Sequence, residues 1–466
     1  MSKTSKINKK YCARIMLEAE TPLHIGSGDS DVTLDSPINT DANGYPRING
    51  TSLAGVLRSS FDDESFVKMI FGFSDEKKPE NSEGSRLMVS NAHLVYGENK
   101  VVEGLMVNET PFLSQMHNHA LPLRDHCLIG HKGAAEQNGK FDTTVLPKGV
   151  RFLCELELTE ENNLNFKEEW EKLIATIASP YFRIGGKTRS GLGKLKVIAG
   201  KSCSRIFDFS NSADKTDYCN CSSSFNVKPD WSELKVDNNV NSTERYYTYT
   251  LDIQPEDFFL FGGGPGDVDG EEVDMTAKTE RFVTWNSGNP TISNQEKLLI
   301  PASSIKGALS HRVAFHYNKI KGFWADEIDD ISEAVGNNNK AVPELFGFID
   351  GDNKNGKRGR VIIDDMFINK NGEKTFNHVA IDRFTGGAID GALYDEHVPT
   401  NENTFSTLKI LVEKDAFKDK KGEIIRQAFE NTLDDLCNGM LPLGGGVMRG
   451  HGCFEGKWEK ENGGGK

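Results

Sequence analysis

At residues 47–58 the chain reads Arg47-Ile-Asn-Gly-Thr-Ser-Leu-Ala-Gly-Val-Leu-Arg58, and this segment is the key to the architecture because it returns later. The second occurrence is Leu299-Ile-Pro-Ala-Ser-Ser-Ile-Lys-Gly-Ala-Leu309, with Gly55 and Gly307 in register 252 residues apart. In both segments a pair of hydroxyl residues precedes apolar residues at helical spacing. The pattern predicts a helix capped by Thr51 or Ser52 in one segment and by Ser303 or Ser304 in the other.

Two further matches follow in the same order along the chain. Phe71-Gly-Phe73 and the later Gly84-to-Asn91 segment are echoed by Phe346-Gly-Phe348 and the Gly359-to-Asp365 segment. A glycine-rich loop then closes each half, reading Gly185-Gly-Lys-Thr-Arg-Ser-Gly-Leu-Gly193 and Gly444-Gly-Gly-Val-Met-Arg-Gly-His-Gly452. Ordered self-similarity indicates a duplicated domain. We therefore predict a first copy at residues 10–205, a polar linker at 206–243 and a second copy at 244–460.

Each copy has the pattern of an α+β domain. The opening segments are β-branched, aromatic or alternating, as in Tyr246-Tyr-Thr-Tyr-Thr-Leu-Asp-Ile253, and predict a first strand. A helix, two strands, a second helix and a last strand follow in each copy. The order β-α-β-β-α-β is that of the ferredoxin-like or RNA-recognition-motif fold. The sequence thus predicts two tandem domains of this class with inserted loops.

Composition and charge limit the function classes. The 466 residues carry 55 Lys and Arg against 69 Asp and Glu, a net charge of −14, which disfavours a nucleic-acid binder that is basic throughout. A local cationic track with an acidic outer surface would reconcile that charge with RNA binding. Neither a membrane span nor a signal peptide is evident, and eight scattered cysteines indicate reduced thiols. We expect a cytoplasmic protein without a membrane partner.

The two glycine loops are candidate phosphate sites. Successive glycines free the backbone to direct N–H groups at an anion, and basic side chains stand beside them. The helix starts in each copy could bind phosphate as well, since helix N-termini favour anions. A tight helix-to-strand turn, and simple helix capping by the hydroxyls, are the structural alternatives. The basic residues of these segments are Arg58, Lys187, Arg189, Lys306 and Arg449.

These motifs together resemble the RAMP superfamily of CRISPR-associated proteins, and specifically the backbone subunits of type III effector complexes. The resemblance rests on Leu23-His-Ile-Gly-Ser-Gly28, Leu34-Asp-Ser-Pro37, Asn49-Gly-Thr-Ser-Leu-Ala-Gly55 and the closing glycine loop, with a second set displaced downstream. It spans almost the whole chain. The tandem layout is similar to a fusion of two backbone subunits, as in type III-D-like systems.

The resemblance implies partners and an RNA-binding architecture. A core of this kind holds CRISPR RNA in a filament, while a thumb hairpin wedges between the bases of guide and complementary target RNA. Residues 380–392, with Arg383, are similar to the thumb of the second copy, and Pro122-Leu-Arg-Asp125 begins its counterpart. Other RAMP subunits and the large subunit of the complex are the implied protein partners.

The resemblance also implies a catalytic aspartate. In this family an aspartate in the loop between the first strand and first helix is required for cutting target RNA, and Asp35 matches it. In the second copy the alignment is looser, and Asp274 is the preferred residue over Asp267, Asp269, Glu280 or an inactive copy. A carboxylate there could align or deprotonate the RNA 2′-hydroxyl, assisted by a divalent cation such as Mg²⁺.

The expected RNA contacts extend over both copies. One of these expected contacts, His24, has two alternative roles: it could assist proton transfer or be a packed side chain. Two rival functions stay open, a non-catalytic guide-RNA scaffold and a guide-processing endoribonuclease. The full set of predicted RNA-binding residues is His24, Thr51, Ser52, Arg58, Arg124, Gly185, Gly186, Lys187, Arg189, Ser303, Ser304, Lys306, Arg383, Gly444, Gly445, Gly446 and Arg449.

One loop is rich in potential metal ligands. His117-Asn-His119, His126-Cys127 and His131 lie in the insertion of the first copy. A structural zinc ion is conceivable there, but the paired C-x-x-C spacing of zinc sites is missing, so a polar loop contacting RNA or a neighbouring subunit is the preferred interpretation. No metal ligand is assigned.

Overall fold

The structure is a computed structural model, and it describes residues 6–28, 35–162, 164–236, 245–349, 356–403, 405 and 407–461. Its secondary structure is mixed, with strands more abundant than helices. No helix in these ranges is both long and apolar enough to cross a membrane.

The first copy contains eleven strands and five α-helices among the described residues, several of them very short. The strands are β1 (Ile7–Ala19), β2 (Arg47–Ile48), β3 (Leu87–Val89), β4 (Ala92–Gly97), β5 (Lys100–Val101), β6 (Leu123–Ile129), β7 (Ala135–Thr144), β8 (Arg151–Glu161), β9 (Leu195–Val197), β10 (Cys203–Asp208) and β11 (Ser232–Glu233). The helices are α1 (Gly50–Ser59), α2 (Glu64–Phe71), α3 (Pro111–Ser114), α4 (Lys167–Ala178) and α5 (Ser212–Cys219).

The second copy, over its described ranges, has fewer helices, two of which are long. Its strands are β12 (Tyr246–Pro255), β13 (Gly262–Val268), β14 (Glu271–Ala277), β15 (Thr279–Glu280), β16 (Val283–Asn286), β17 (Asn289–Ile292), β18 (Lys297–Ile300), β19 (Gly347–Phe348), β20 (Lys357–Arg358), β21 (Val361–Ile363), β22 (Met366–Ile368), β23 (Glu373–Ile381), β24 (Ala388–Pro399), β25 (Leu408–Glu413) and β26 (Phe454–Glu461). The helices are α6 (Ala302–Lys321), α7 (Val342–Phe346) and α8 (Asp419–Cys437).

Both copies are built on the same four antiparallel strands. In the first copy the order across the sheet is β3-β8-β1-β9, and β10, β11, β4, β2 and β5 extend it. In the second copy the order is β21-β25-β12-β26. In each case the first strand of the copy lies between the third and the last, which is the ferredoxin-like arrangement. The predicted pair of tandem α+β domains is therefore confirmed.

The cores form where alternate strand residues meet amphipathic helices. In β12, Tyr249, Leu251 and Ile253 point to one face of the sheet and are buried, as the two-residue period of a strand requires. Helix α8 covers that face with apolar residues at helical spacing, including Phe429 and Leu433. The first copy has an equivalent core beneath α1 and α4.

The predicted helix caps are wrong in a consistent way. Helix α1 begins at Gly50, whose N–H donates to Asn91 Oδ1 at 2.9 Å, and α6 begins at Ala302, whose N–H donates to Asp365 Oδ1 at 2.8 Å. A side chain from the distant β3–β4 or β21–β22 turn thus accepts the N–H at each helix start. The hydroxyl residues that the sequence suggested as caps, Thr51, Ser52, Ser303 and Ser304, lie inside the first turn.

The described part of the predicted linker is folded against the first copy. It contains most of β10, helix α5 and β11, and β10 pairs with β1. Aromatic side chains anchor it, since Phe207 packs edge-on against Tyr218 and Trp231, and Arg14 of β1 lies over the Phe225 ring. These anchors are irregularly spaced in a polar sequence, so periodicity does not reveal them. Residues 237–244 lie outside the described ranges.

The second copy also contributes to the core of the first. Val283, in the β16–β17 hairpin, is buried in the first copy's core, and its N–H donates to the Lys148 carbonyl at 2.8 Å. Trp285 Nε1 donates to the Gly149 carbonyl at 2.8 Å, and the Arg151 guanidinium lies 4.1 Å from the centre of the Trp285 ring. Residues 283–292, which belong to the second copy by sequence, therefore pack on the first copy.

Candidate functional site

Equivalent hydrogen bonds align the two copies residue by residue. The Gly186 N–H donates to the His24 carbonyl at 2.8 Å, and the Gly445 N–H donates to the Leu260 carbonyl at 2.6 Å. Leu23-His-Ile-Gly-Ser-Gly28 therefore corresponds to Phe259-Leu-Phe-Gly-Gly-Gly264 in the second copy. The second motif has lost its histidine but keeps two of its glycines.

Each copy projects a long β-hairpin at the position predicted for the thumb. The first hairpin is β6–β7 and the second hairpin is β23–β24. Both carry exposed apolar side chains, which in the second hairpin include Phe384, 98% exposed at the tip, and Leu393, 72% exposed. Arg383 is exposed beside Phe384. The first hairpin exposes Leu128 and Ile129 near its tip.

Asp35 lies against the first hairpin through a reciprocal pair of hydrogen bonds. The Asp142 N–H donates to Asp35 Oδ2 at 3.1 Å, and the Asp35 N–H donates to Asp142 Oδ1 at 3.3 Å. Asp35 is exposed and Asp142 is half-buried. Two carboxylates are thereby held side by side at the base of the hairpin. Residues 29–34, which include Leu34 of the family-like motif, lie outside the described ranges.

Asp274 makes the same pair of bonds in the second copy. The Asp274 N–H donates to Asp395 Oδ1 at 2.8 Å, and the Asp395 N–H donates to Asp274 Oδ2 at 3.1 Å. Asp395 occupies the place in β24 that Asp142 occupies in β7. The other acidic candidates lie elsewhere: Asp267 and Asp269 are at the β13–β14 turn, and Glu280 is buried in an ion pair with Arg124.

A stacked ring pair accompanies each carboxylate pair on the hairpins. His126 stacks on Phe141 at 4.9 Å between ring centres, and His378 stacks on Tyr394 at 4.8 Å. Phe141 directly precedes Asp142, and Tyr394 directly precedes Asp395. The duplication of rings and carboxylates together indicates one site built twice.

A cation from each glycine loop completes the arrangement. Lys187 donates to Thr143 Oγ1 and lies 4.3 Å from the centre of the Phe141 ring. Burial and the nearby Arg124 charge lower the pKa of Lys187 to about 8, although Asp142 opposes the shift. In the second copy, Arg449 donates to the buried Glu396 carboxylate at 2.7 Å.

The glycines of these loops serve close packing. A Cβ at Gly185 would clash with the His24 carbonyl oxygen, and one at Gly444 would clash with the Leu260 carbonyl oxygen. The Gly186 and Gly445 N–H groups are bonded to those same carbonyls. Both loops thus tie the last strand of a copy to its opening motif. These two N–H groups are bonded within the protein and are not directed at an anion. Gly446 adopts a left-handed conformation with φ of 70°.

His24 is a packed side chain. It is buried, its Nδ1 lies 2.9 Å from the Thr144 carbonyl oxygen, and its ring packs beside Gly26 and Gly186. Burial lowers the pKa of His24, so the neutral imidazole is favoured. In this position it braces the base of the first hairpin.

The predicted contacts on the helices remain accessible. Thr51, Ser52, Arg58 and Ser304 are exposed, and Ser303 is half-buried. Lys306 is also half-buried, and burial, with Arg189 nearby, lowers its pKa. The four hydroxyl residues lie in the first turns of α1 and α6, Lys306 follows in the second turn of α6, and Arg58 lies near the end of α1.

Two of the predicted RNA-binding arginines join the copies to each other. Arg124 is 5% exposed and bonds to Glu280 at 2.5 and 2.8 Å and to Asp365 at 2.5 Å. Arg189 donates to the Gly359 carbonyl at 2.9 Å and to Glu413 at 3.1 Å. Both guanidinium groups are engaged by the second copy.

The histidine-rich loop contains no metal cluster in the described part of the chain. His117 Nε2 lies 2.8 Å from Glu109 Oε1, and its ring stacks on His119. His126 belongs to the first hairpin, where it packs on Phe141. The histidines are thus divided between two different places.

Asp142 and Asp395 are the site residues that sequence reasoning missed. A signal for them exists, because Phe141-Asp-Thr-Thr-Val145 and Tyr394-Asp-Glu-His-Val398 share an aromatic-Asp-x-x-Val pattern 253 residues apart. The pattern is short, and it becomes informative only when the structure shows that it occupies equivalent positions in the two hairpins.

Comparisons with known proteins agree with the duplication. The model of the RAMP superfamily matches residues 16–196 and 285–455, more than half of the chain. A chain from a structure described as "Type III-B Cmr-beta Cryo-EM structure of the Apo state" is similar at 16% identity with a TM-score of 0.31, over 41% of this chain and 98% of that one. No curated protein matches in sequence.

Proposed function

Because the chain belongs to the RAMP superfamily, with one family match in each half, we propose that it is a backbone subunit of a type III CRISPR effector complex. It binds CRISPR RNA as two consecutive units and cleaves complementary target RNA at two positions. Other RAMP subunits and the large subunit are its partners in the cytoplasm. The observation that supports cleavage is the duplicated carboxylate pair, Asp35 with Asp142 and Asp274 with Asp395.

The two hairpins support the RNA-binding part of the proposal. Their exposed apolar side chains can stack on or insert between bases, and base–aromatic stacking tolerates any sequence. Phe384 at the tip of the second hairpin is the most exposed of these groups. A hairpin that parts the guide–target duplex displaces a nucleotide and bends the phosphodiester beside it. That phosphodiester would lie near the carboxylate pair at the hairpin base.

The carboxylates supply the chemistry of cleavage. Asp35 or Asp274 aligns the target 2′-hydroxyl and accepts its proton as the oxygen attacks the adjacent phosphorus. The bond to the 5′-oxygen breaks, which leaves a cyclic phosphate on one fragment and a 5′-hydroxyl on the other. Asp142 and Asp395 hold the reacting carboxylates by their backbone N–H groups. This support restricts the side-chain rotation that would otherwise misplace an exposed aspartate.

The donor set fits the divalent cation that such a reaction implies. Mg²⁺ is commonly held by one or two carboxylates, with waters and substrate phosphate oxygens as its other ligands. Each pair offers two carboxylates, and each carboxylate uses one oxygen for the other residue's N–H. When bound, the cation would neutralise charge that develops on the phosphate.

The test is target cleavage by the assembled complex with Asp35→Ala, Asp274→Ala and the double variant. We expect each single variant to lose one cut and keep the other, and the double variant to lose both. Asp269→Ala is the matched control, because Asp269 is a nearby aspartate at the exposed β13–β14 turn. Unchanged fragments in all variants would leave the protein as a guide-RNA scaffold. Cutting of precursor RNA by the isolated chain would instead indicate guide processing.

A further inference from the structure

Cleavage through the 2′-hydroxyl needs an acid as well as a base. When the bond from phosphorus to the 5′-oxygen breaks, that oxygen leaves as an alkoxide unless a proton reaches it. A positioned general acid commonly accelerates such a step about 100- to 10,000-fold. In the proposed reaction Asp35 accepts the proton of the 2′-hydroxyl, so a different group at the base of the first hairpin must supply this second proton.

Lys187 lies beside the carboxylate pair of the first copy. Its ammonium donates to Thr143 Oγ1 and lies 4.3 Å from the centre of the Phe141 ring. Phe141 and Thr143 are the two neighbours of Asp142 in β7, and a strand rises only about 3.3 Å per residue. The ammonium is therefore held next to the strand position to which Asp35 is bonded.

The lysine and the two aspartates approach β7 from different sides. Side chains alternate along a strand, so Phe141 and Thr143 point to one face and Asp142 points to the other. Lys187 lies on the first of these faces, whereas Asp35 is bonded to the main chain at the edge of the strand. In an in-line displacement the attacking and leaving oxygens are on opposite sides of the phosphorus. A base and an acid on different sides of the strand suit that geometry.

The backbone of Lys187 has a conformation that lysine rarely adopts. Its φ is 54°, in the left-handed region that favours glycine. The equivalent residue in the glycine loop of the second copy is Gly446, with φ of 70°. Glycine therefore suffices for this turn, and the first copy keeps a lysine there in spite of the strain. Residues held in such conformations cluster at functional sites, which indicates that the ammonium has a use beyond the turn.

The other titratable groups that face Lys187 are unsuited to give up this proton. Arg124 is bound to two carboxylates of the second copy, and a guanidinium does not deprotonate in proteins. Burial, with the charges of Lys187 and Arg124, lowers the pKa of His126 to about 4, and burial lowers the pKa of His24. Both imidazoles are therefore neutral near pH 7. Asp142 is a carboxylate and acts as an acceptor.

We infer that Lys187 is the general acid of the first cut, an inference that rests on the proposed function. Its Nζ donates a proton to the 5′-oxygen as the bond from phosphorus to that oxygen breaks. The products are a 5′-hydroxyl, a cyclic phosphate and a neutral amine, which regains its proton from water. The inference concerns the first site alone, because Gly446 offers no side chain at the second.

The acid strength of Lys187 suits this role. Burial and the Arg124 charge lower the pKa of Lys187 to about 8, although Asp142 opposes the shift. An ammonium with such a pKa holds its proton near neutral pH and releases it more readily than an ordinary lysine does. General acids are most effective when their pKa lies near the working pH.

Sulfur in place of the 5′-oxygen tests the role directly. A thiolate leaves without a proton, because a thiol ionises with a pKa of only about 8.5. Wild type, Lys187→Met and Lys187→Arg should each be assembled into the complex and given two target RNAs. One target is ordinary RNA, and the other has a bridging 5′-sulfur at the first cut. Lys187→Arg keeps the positive charge, but its guanidinium cannot give up a proton.

With the ordinary target, we expect both variants to slow the first cut about 100-fold or more and to leave the second cut unchanged. With the sulfur-containing target, both variants should make the first cut as fast as the wild type, which would also show that they are folded and assembled. Asp35→Ala should not be rescued by sulfur, because the 2′-hydroxyl still needs its base. Lys140→Met changes an exposed lysine of the same hairpin and, as the matched control, should keep both cuts.

Three results would overturn the inference. The first is a normal first cut of ordinary RNA by Lys187→Met, and the second is a first cut that Lys187→Arg restores. The third is a loss that sulfur does not rescue, which would indicate that Lys187 contacts a phosphate of the guide instead. A wild-type complex that makes neither cut would refute the proposed function itself, so the two failures are distinguishable.

Discussion

Arg124 and Asp365 are joined across the two copies at 2.5 Å, and the same carboxylate accepts the N–H of Ala302 at the start of α6. Asp365 therefore caps a helix of its own copy with one oxygen and binds the other copy with the second. Burial raises the pKa of this carboxyl, and Arg124 opposes the shift. The arginine therefore favours the ionised form of a carboxyl whose burial favours the neutral form.

Replacement of Arg124 by Met should destabilise the whole chain. It would leave the buried Glu280 and Asp365 carboxylates without their cation, and breaking a buried pair typically costs about 3–5 kcal/mol. Urea unfolding measures the loss. Arg383→Met, at an exposed hairpin tip, is the control and should unfold like the wild type. An Arg124 variant as stable as the control would contradict the role given to the ion pair.

Asp142→Ala should weaken cleavage at the first site only, and Asp395→Ala at the second only. The substitution keeps the backbone N–H that the reacting carboxylate accepts, but it removes the side chain that accepts the Asp35 or Asp274 N–H. Loss of such a supporting group commonly costs about 10- to 100-fold in activity. The rates of the two cuts, measured separately on one end-labelled target, test this. Asp125→Ala is the matched control, because Asp125 pairs with Asp142 across the first hairpin but is exposed. Equal loss at both cuts would indicate a general defect in assembly.

Lys187 should make stability depend on pH in the alkaline range. Its pKa falls from the ordinary 10.5 to about 8 in the folded chain. Between these values the unfolded chain binds more protons than the folded chain, so this residue's contribution to stability rises with pH. The free energy of unfolding of the wild type and of Lys187→Met should be measured at several pH values. The difference between the two should shift in favour of the wild type as the pH rises across that window. A difference that does not change with pH would contradict the lowered pKa of Lys187.

Phe384→Ala should weaken RNA binding without changing stability. The side chain is 98% exposed, so its removal leaves the folded core untouched. Loss of one base–aromatic stack is worth about 1–3 kcal/mol of binding. Fluorescence anisotropy with labelled single-stranded RNA measures the affinity, and thermal unfolding checks the fold. Val107→Ala removes an equally exposed side chain elsewhere and should alter neither quantity.

Much of the fold was predictable because duplication leaves its record in the sequence. The glycine loops were recognisable since a Cβ at Gly185 or Gly444 would clash with a carbonyl of the opening motif. Asp35 was singled out by its family-like motif. The order of strands and helices followed from periodicity, and the sheet topology agrees with it.

The remaining features depend on contacts between distant residues. Arg124 suggests a phosphate contact when read alone, but its carboxylates lie 156 and 241 residues further along the chain. The helix starts have hydroxyl residues nearby in sequence, whereas Asn91 and Asp365 accept their N–H groups from another part of the fold. In the sequence, Asp142 resembles any polar hairpin residue. Its contact with Asp35, which is distant in the sequence, distinguishes it only in the folded structure.

The placement of Val283 and Trp285 has a consequence for biosynthesis. These residues complete the core and edge of the first copy, yet they follow the linker and the opening strand of the second. The amino-terminal domain therefore emerges from the ribosome before the hairpin that finishes it has been translated. The apolar core residues that Val283 covers stay exposed during that interval. A chaperone that shields nascent chains would bind there.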